Sequence, residues 1–221
     1  MSRATRVMSV CVGALLMYAT AAQAGPLPSD PNALGGFSQG TTAFIGTNGP
    51  LTIKSNVEFA VYAPGKFDLS FGAGADPSGG SQYVYAYEVF NTGVGGLDRA
   101  ISLFTVALQP TALAQNIEFL PHAFGFFGQD PVSSSFGGGP PPTSARWDYS
   151  TATVPIGGNT QILLFTSPKG PTLQSAGVQG GGVPSSNVLP SPIPEPASWT
   201  LLVIGSVALA YRRVVARRRV G

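Results

Sequence analysis

Short apolar stretches with a period of two constrain this chain more than any other feature of its sequence. The clearest is Tyr83–Asn91 (YVYAYEVFN), in which three tyrosines share one face and other side chains share the opposite face. Ile101–Leu108 and Gln161–Phe165 are apolar on both faces, as the central strands of a sheet are. Glycine and proline turn signals separate the stretches, and no sustained helical period interrupts them. Roughly seven to nine short strands of this kind predict an all-β, antiparallel sandwich.

The predicted sandwich, with its strands arranged in an immunoglobulin-like or jelly-roll-like manner, covers residues 41–167. Residues 25–40 precede it and have the proline and glycine content of an N-terminal loop. Residues 168–193 follow it and are rich in proline, glycine and serine, which predicts a flexible tether. Residues 128–144 interrupt the strand pattern and predict a long mobile loop.

Two shorter stretches inside the predicted sandwich receive predictions of their own. Phe67, Leu69 and Phe71 alternate with polar or small residues, which favours a strand. Residues 113–120 favour a single turn of helix. These two predictions decide which side chains of each stretch should face the core.

Residues 1–24 have the three parts of a secretory signal peptide: a basic start, an apolar middle and a cleavage site of small residues. Ala22 and Ala24 form the A-x-A site, so we expect signal peptidase to cut between Ala24 and Gly25. Cys11 is the only cysteine of the chain and lies inside this leader. The exported protein would therefore have no disulfide framework and no thiol nucleophile.

The C-terminal region also has three parts in a fixed order. It starts with Pro194, Glu195 and Pro196, followed shortly by Trp199. The apolar segment 199–211 comes next and predicts a short transmembrane helix, with membrane lipid as a partner. A basic tail closes the chain, and its arginines are Arg212, Arg213, Arg217, Arg218 and Arg219. These arginines predict a cytoplasmic tail and, together with the leader, an exported body.

Residues 194–219 resemble a PEP-CTERM sorting signal, because a Pro-Glu-Pro tripeptide, a short span and an arginine cluster follow one another. The resemblance implies an exported protein of a Gram-negative bacterium that is processed by an exosortase. It also implies that Pro194, Glu195 and Pro196 are recognised as a substrate and take no part in catalysis. Such proteins are found in the cell envelope, at the surface or in the extracellular matrix, and are associated with exopolysaccharide and biofilm.

The charge of the chain is distributed unevenly between these segments and the body. The whole chain has a formal net charge of +2 and a pI near 8.8. Residues 25–193 hold five basic and nine acidic side chains, a net charge of −4. The basic residues outside the body belong to membrane topology, so we expect no nucleic-acid partner.

A nucleophile and a metal site both have weak support in the sequence. Gly36–Gly40 matches the G-x-S-x-G motif, and Ser38, Asp98 and His122 would complete a triad in that order. The motif needs a strand before the serine and a helix after it, whereas a loop precedes this one and a strand-like stretch follows. His122 is the only histidine, and neither a metal nor another cofactor is expected.

The carboxylates of the body are scattered along the chain. Glu58, Glu88 and Glu118 alternate with apolar strand positions, which predicts that they lie on a solvated sheet face. A pair of carboxylates that meet in the fold and hydrolyse glycosidic bonds is the alternative.

Tyr83, Tyr85 and Tyr87 form the most suggestive surface feature of the sequence. Three tyrosines on one sheet face are a possible platform on which sugar rings of a glycan stack. The alternative is a stripe that packs against the opposing sheet, with hydroxyl groups reaching its rim.

Taken together, the sequence predicts a non-enzymatic exported protein that is sorted by its C-terminal signal. The alternatives are a glycan-binding module built on the three tyrosines, and a secreted hydrolase of polysaccharides or esters.

Overall fold

Two antiparallel five-stranded sheets pack face to face in the computed structural model, which describes residues 27–121 and 127–193. The strands are β1 Gln39–Asn48, β2 Leu51–Tyr62, β3 Tyr83–Asn91, β4 Leu103–Ala107, β5 Gln115–Phe119, β6 Ser133–Gly137, β7 Ser144–Asp148, β8 Leu163–Ser167, β9 Pro171–Gly180 and β10 Val183–Pro192. Sheet 1 has the order β1-β2-β3-β8-β5, and sheet 2 has the order β10-β9-β4-β7-β6. The predicted all-β antiparallel sandwich is confirmed.

Aromatic rings fill the space between the two sheets. Tyr87 of β3 lies 5.7 Å from Phe104 of β4 between ring centroids, and Phe104 stacks on Trp147 of β7 at 5.5 Å. Phe165 of β8 stacks on Tyr85 at 5.1 Å and on Trp147 at 6.3 Å. Rings of this size bury a large apolar area, and tilted or offset pairs add a further stabilisation of about 0.5–1.5 kcal/mol each. The alternation of β3 therefore places its tyrosine face at the centre of the core.

The outer face of sheet 1 is also covered, by a second apolar cluster. Tyr62, Val84 and Leu164 point away from sheet 2 and pack against Leu27 and Phe67. Leu27 belongs to a 3-10 turn, Leu27–Ser29, and a second such turn spans Gly36–Ser38. The part of the predicted N-terminal loop that the structure describes is therefore packed into the domain, and β1 begins at Gln39.

The prediction of a strand at residues 67–71 is wrong. Phe67–Phe71 forms a single short helix, α1. Phe67 and Phe71 are four residues apart and lie on the same side of a helix, with rings 5.0 and 5.8 Å from that of Tyr62. Leu69 lies on the opposite side and is 64% exposed. Positions 67 and 71 share a face in a strand and in a helix alike, so only the exposure of Leu69 distinguishes the two structures.

The prediction of a flexible tether at residues 168–193 is also wrong. This stretch forms the antiparallel hairpin β9–β10, which occupies one side of sheet 2. Val178, Val183 and Leu189 belong to the core between the sheets. Gly181 and Gly182 have φ values of 55° and 79°, so the glycine run makes a tight hairpin turn.

Two further stretches, one predicted as a loop and one as a helical turn, also contain strands. The predicted mobile loop 128–144 contains β6 and the first residue of β7, which pair with each other. The predicted helical turn at residues 113–120 is wrong, because most of this stretch is β5. Strand β5 pairs with β8 through an irregular register, and Asn116 has a positive φ of 50° there.

Strands β1 and β10 close one side of the sandwich. A Cβ atom on Gly46 would lie 2.1 Å from the carbonyl oxygen of Pro184, so the two backbones approach as closely as glycine permits. Asn187 donates a hydrogen bond of 2.8 Å to the carbonyl of Ala43. These contacts make β10 run antiparallel to β1, and Ile193 therefore lies at the end of the sandwich where β1 begins.

The start of the described chain lies at the same end as Ile193. The side chain of Gln39 donates to the carbonyls of Leu27 and Asp30 at 3.0 and 2.9 Å. The chain thus enters and leaves the described fold at one end of the sandwich. Within residues 27–121 and 127–193, no helix has the length and apolar character needed to span a bilayer.

If β10 is part of the core, Leu189→Ala should lower the free energy of unfolding by about 2–5 kcal/mol. Its neighbour Val188 is 48% exposed, and Val188→Ala should change stability by only about 0.5 kcal/mol. Urea unfolding followed by tryptophan fluorescence measures both. A tether would give two small and equal effects, which would contradict the observed hairpin.

Candidate functional site

The sorting and cleavage residues predicted from the sequence lie outside the residues that the structure describes. This holds for the leader residues Ala22, Ala24 and Gly25. It also holds for the whole C-terminal signal, namely Pro194, Glu195, Pro196, Trp199, Arg212, Arg213, Arg217, Arg218 and Arg219. His122, the candidate for a triad or a metal site, also lies outside the described residues. Their roles stay predictions from the sequence.

The tyrosines proposed as a glycan platform are turned inward. Tyr85 and Tyr87 are fully buried between the sheets, and Tyr83 is half-buried at the rim. The hydroxyl of Tyr87 donates to the carbonyl of Pro190, and that of Tyr85 donates to the carbonyl of Lys169 at 2.7 Å. Burial raises the pKa of both phenols well above the ordinary value, so both remain neutral donors.

The glycan platform on Tyr83, Tyr85 and Tyr87 is therefore a wrong prediction. A sugar ring cannot reach two of the three faces, because the aromatic rings of sheet 2 already occupy that space. The packing alternative is confirmed, since Tyr85 and Tyr87 are buried against the opposing sheet and their hydroxyl groups donate to backbone carbonyls.

The G-x-S-x-G motif does not form a nucleophile elbow. Ser38 is buried at the end of a 3-10 turn, and β1 follows it where the motif requires a helix. Asp98 pairs with Thr52 near the start of β2, whereas Gln39, next to Ser38, pairs with Ala60 near its end. Eight residues of strand separate these positions by about 26 Å, so Ser38 and Asp98 cannot act together.

Asp98 holds a loop instead. Its carboxylate accepts hydrogen bonds from the Thr52 hydroxyl and from the backbone N–H of Val94, and Lys54 lies 3.2 Å away. The hydrogen bond from Thr52, the bond from Val94 and the contacts with Lys54 together lower the pKa of Asp98 to about 2. These contacts fix residues 92–98, between β3 and β4, against the first residues of β2.

Glu58 and Glu88 meet on the outer face of sheet 1. They stand directly opposite each other in the β2–β3 register. Glu88 is only 4% exposed and accepts a hydrogen bond of 2.7 Å from the side-chain amide of Asn159. Burial raises the pKa of Glu58, and among the described residues its Oε2 atom is buried without a hydrogen-bond donor.

The prediction of a solvated face is thus wrong for Glu88 and correct for Glu118, which is exposed on β5. Burial, followed by the negative charge of Asp76, raises the pKa of Glu118. The reason for the error is the second apolar cluster, which covers the outer face of sheet 1 where Glu88 lies. Within the described ranges, no three histidine, cysteine or carboxylate side chains cluster closely enough to hold a metal ion.

Two facing carboxyl groups can share a proton and act as general acid and base when a substrate reaches both. Here one of them is covered and tied to Asn159, whose amide also donates to the carbonyl of Phe127 at 3.0 Å. Through Asn159, Glu88 therefore ties β3 to residues 127 and 159. Asn159 follows two glycines that indicate only a turn, so the sequence carries no signal for this role.

The end of β10 is the described feature closest to the predicted sorting signal. Pro190, Ser191 and Pro192 are all buried, although they form the end of an edge strand. The hydroxyl of Ser191 donates to the carbonyl of Ala107 at 2.7 Å, and the N–H of Ile193 donates to the carbonyl of Gly170 at 3.1 Å. The sequence carries no signal for this arrangement, because serine between two prolines is typical of a linker.

Glu58→Gln should stabilise the protein by roughly 0.2–1 kcal/mol at neutral pH, because it removes a half-buried carboxylate whose charged form burial disfavours and which stands opposite Glu88. The gain should disappear below about pH 4. Burial raises the pKa of Glu58 in the folded protein, so its carboxyl group lowers the stability only at a pH where the unfolded chain is ionised. Urea midpoints against pH measure this. Glu88→Gln keeps the acceptor for Asn159, so the double variant should gain less than the sum of the two. Strict additivity would contradict the coupling.

Asp98→Asn should remove an acid-dependent part of the stability. The folded pKa of about 2 lies below the ordinary value near 3.9, so the unfolded chain takes up protons first as the pH falls. Wild type should therefore lose stability between about pH 5 and pH 2, and the difference from the variant should shrink over that range. Urea midpoints at each pH test this, and a constant difference would refute the role of the carboxylate.

Comparison with known proteins found no matching family model, no matching curated protein and no matching solved structure.

Proposed function

We propose that this chain is a non-enzymatic, exported β-sandwich protein that its C-terminal signal sorts to the cell envelope, the surface or the extracellular matrix of a Gram-negative bacterium. The observation that carries the proposal is the fixed order of three parts in the last 28 residues. Pro194-Glu195-Pro196 comes first, the apolar segment 199–211 second and five arginines last.

Each part of the signal has a separate physical task in this proposal. Signal peptidase removes residues 1–24, and the chain crosses the inner membrane until segment 199–211 enters the lipid. The arginines keep the tail in the cytoplasm, because moving their charged side chains across the bilayer costs much free energy. The prolines fix φ on both sides of Glu195 and present its carboxylate on an extended backbone to an exosortase.

The absence of an enzymatic task is supported by what the polar groups of the described body already do. Asp98 holds a loop, Glu88 is covered and bound by Asn159, and Ser38 is buried far from Asp98. A hydrolase would need at least one such group at the surface of a cleft. Association with exopolysaccharide, if it is direct, therefore uses a surface other than the tyrosine stripe.

We also propose a jelly-roll-like arrangement in preference to an immunoglobulin-like one. Strand β3 pairs with β8, and β4 pairs with β7. Outside these pairs, β1 packs against β10 and β2 contacts β9. Each strand from β1 to β4 therefore lies beside a strand of the second half of the chain, and these partners occur in reverse order, from β10 to β7. Nested pairing of this kind is typical of a long hairpin wrapped into two sheets.

Glu195→Ala should abolish processing in a bacterium that contains an exosortase. Loss of hydrogen bonds to a charged group costs about 1.5–3 kcal/mol, so the processed fraction should fall at least about tenfold. Mass spectrometry of the surface fraction measures whether the arginine tail is present. Ser198→Ala, outside the tripeptide, serves as the matched control. An intact tail on mature surface protein would refute the proposal.

A further inference from the structure

The last residues of β10 are held more firmly than the end of an edge strand usually is. Residues 189–192 are buried at every position, whereas the earlier part of β10 is partly exposed. Three hydrogen bonds fix the end of the strand: Tyr87 donates to Pro190, Ser191 donates to Ala107, and Ile193 donates to Gly170. Pro192 is also in register with Pro171 of β9.

The predicted recognition tripeptide follows this end with no spacer. Ile193 is the last described residue, and Pro194 is the next residue of the sequence. The expected 26-residue tether between domain and signal does not exist as a free segment, because β9 and β10 use it. The folded domain therefore reaches to the first residue of the signal.

A peptide-cleaving enzyme binds its substrate as an extended strand, through main-chain hydrogen bonds on both sides of the bond that it breaks. The side of β10 that faces β9 already uses its main-chain groups in the hairpin, and β1 packs along its other side. Residues 190–193 can enter a cleft only after they leave the sheet. Leaving the sheet is a local unfolding event, and its free energy depends on the bonds that hold this end.

We propose that exosortase processing of this chain requires residues 190–193 to open from the sandwich, so that the fold itself limits the rate of cleavage. This inference rests on the proposed function. In the covalent step one peptide C–N bond breaks, its acyl carbon passes to water or to an acceptor amine, and the leaving nitrogen takes up a proton. After cleavage the end of β10 closes again, and the released domain keeps all ten strands.

Ser191 and Ser185 offer a matched pair for the test. Both are buried serines of β10 that donate to a backbone carbonyl, Ser191 to Ala107 at 2.7 Å and Ser185 to Val178 at 2.8 Å. Ser191 lies at the exit of the chain, whereas Ser185 lies near the hairpin turn. Alanine at either position removes one hydrogen bond of similar strength, but only Ser191→Ala makes the exit easier to open.

The experiment follows processing of the full chain by pulse-chase in a Gram-negative bacterium that contains an exosortase. Ser191→Ala should speed cleavage roughly two- to tenfold, and Ser185→Ala should leave it unchanged. A Gly-Ser-Gly-Ser spacer inserted between Ile193 and Pro194 adds about 13 Å of free chain. With the spacer, cleavage should be faster still and no longer respond to Ser191→Ala.

Equal cleavage rates for wild type and the spacer variant would overturn the proposal that opening of residues 190–193 limits cleavage. The proposed function would remain intact. Equal acceleration by both serine variants would also overturn it, because global destabilisation would then explain the effect. Absence of cleavage in every variant, the spacer included, would remove the proposed function and this inference with it. Cleavage of the spacer variant alone would support the gate in its strongest form.

Discussion

Strands β3 and β8 of sheet 1 are buried on both faces, and much of the fold follows from the need to cover both. The inner face is covered by Phe104 and Trp147 of sheet 2, which stack with the aromatic rings of β3 and β8. The outer face is covered by Leu27, Phe67 and Phe71, from segments that a simple sandwich leaves at its surface. Burial of each large side chain contributes about 1.5–3 kcal/mol, so the segments before β1 and after β2 are as necessary as the strands.

The same constraint determines the fate of the polar groups that suggested chemistry. A carboxylate on a covered face must find a hydrogen-bond donor, and Glu88 finds Asn159. Phenols in a covered layer must donate at its rim, and Tyr85 and Tyr87 reach backbone carbonyls. Glu88, Tyr85 and Tyr87, which resembled parts of a site in the sequence, therefore each perform a structural task.

Local alternation was sufficient to predict the sandwich and to place the three tyrosines on one face of Tyr83–Asn91. It could not show that both faces are buried, because the covering residues Leu27 and Phe67 lie outside the strands, in a turn and a short helix. The hairpin β9–β10 was missed for a different reason. Its prolines and glycines are typical of a linker, yet the prolines lie on an edge strand, where missing N–H groups are tolerated, and the glycines make its turn. The sorting signal depends on sequence order alone and lies outside the described residues, so it remains a prediction.

The loss of the tether changes what the sequence order means for sorting. A flexible linker would separate the stability of the domain from the accessibility of the signal, whereas a strand that ends at Pro192 couples the two in the proposed processing. The side-by-side packing of β1 and β10 strengthens this coupling, because the first residues of the described chain lie at the same end as the exit. Leu27 and Ala33 pack on the outer cluster of sheet 1, and strands β9 and β10 are part of sheet 2. Because β10 pairs with β9 and packs against β1, the chain that leads to Pro194 is held by strands of both sheets.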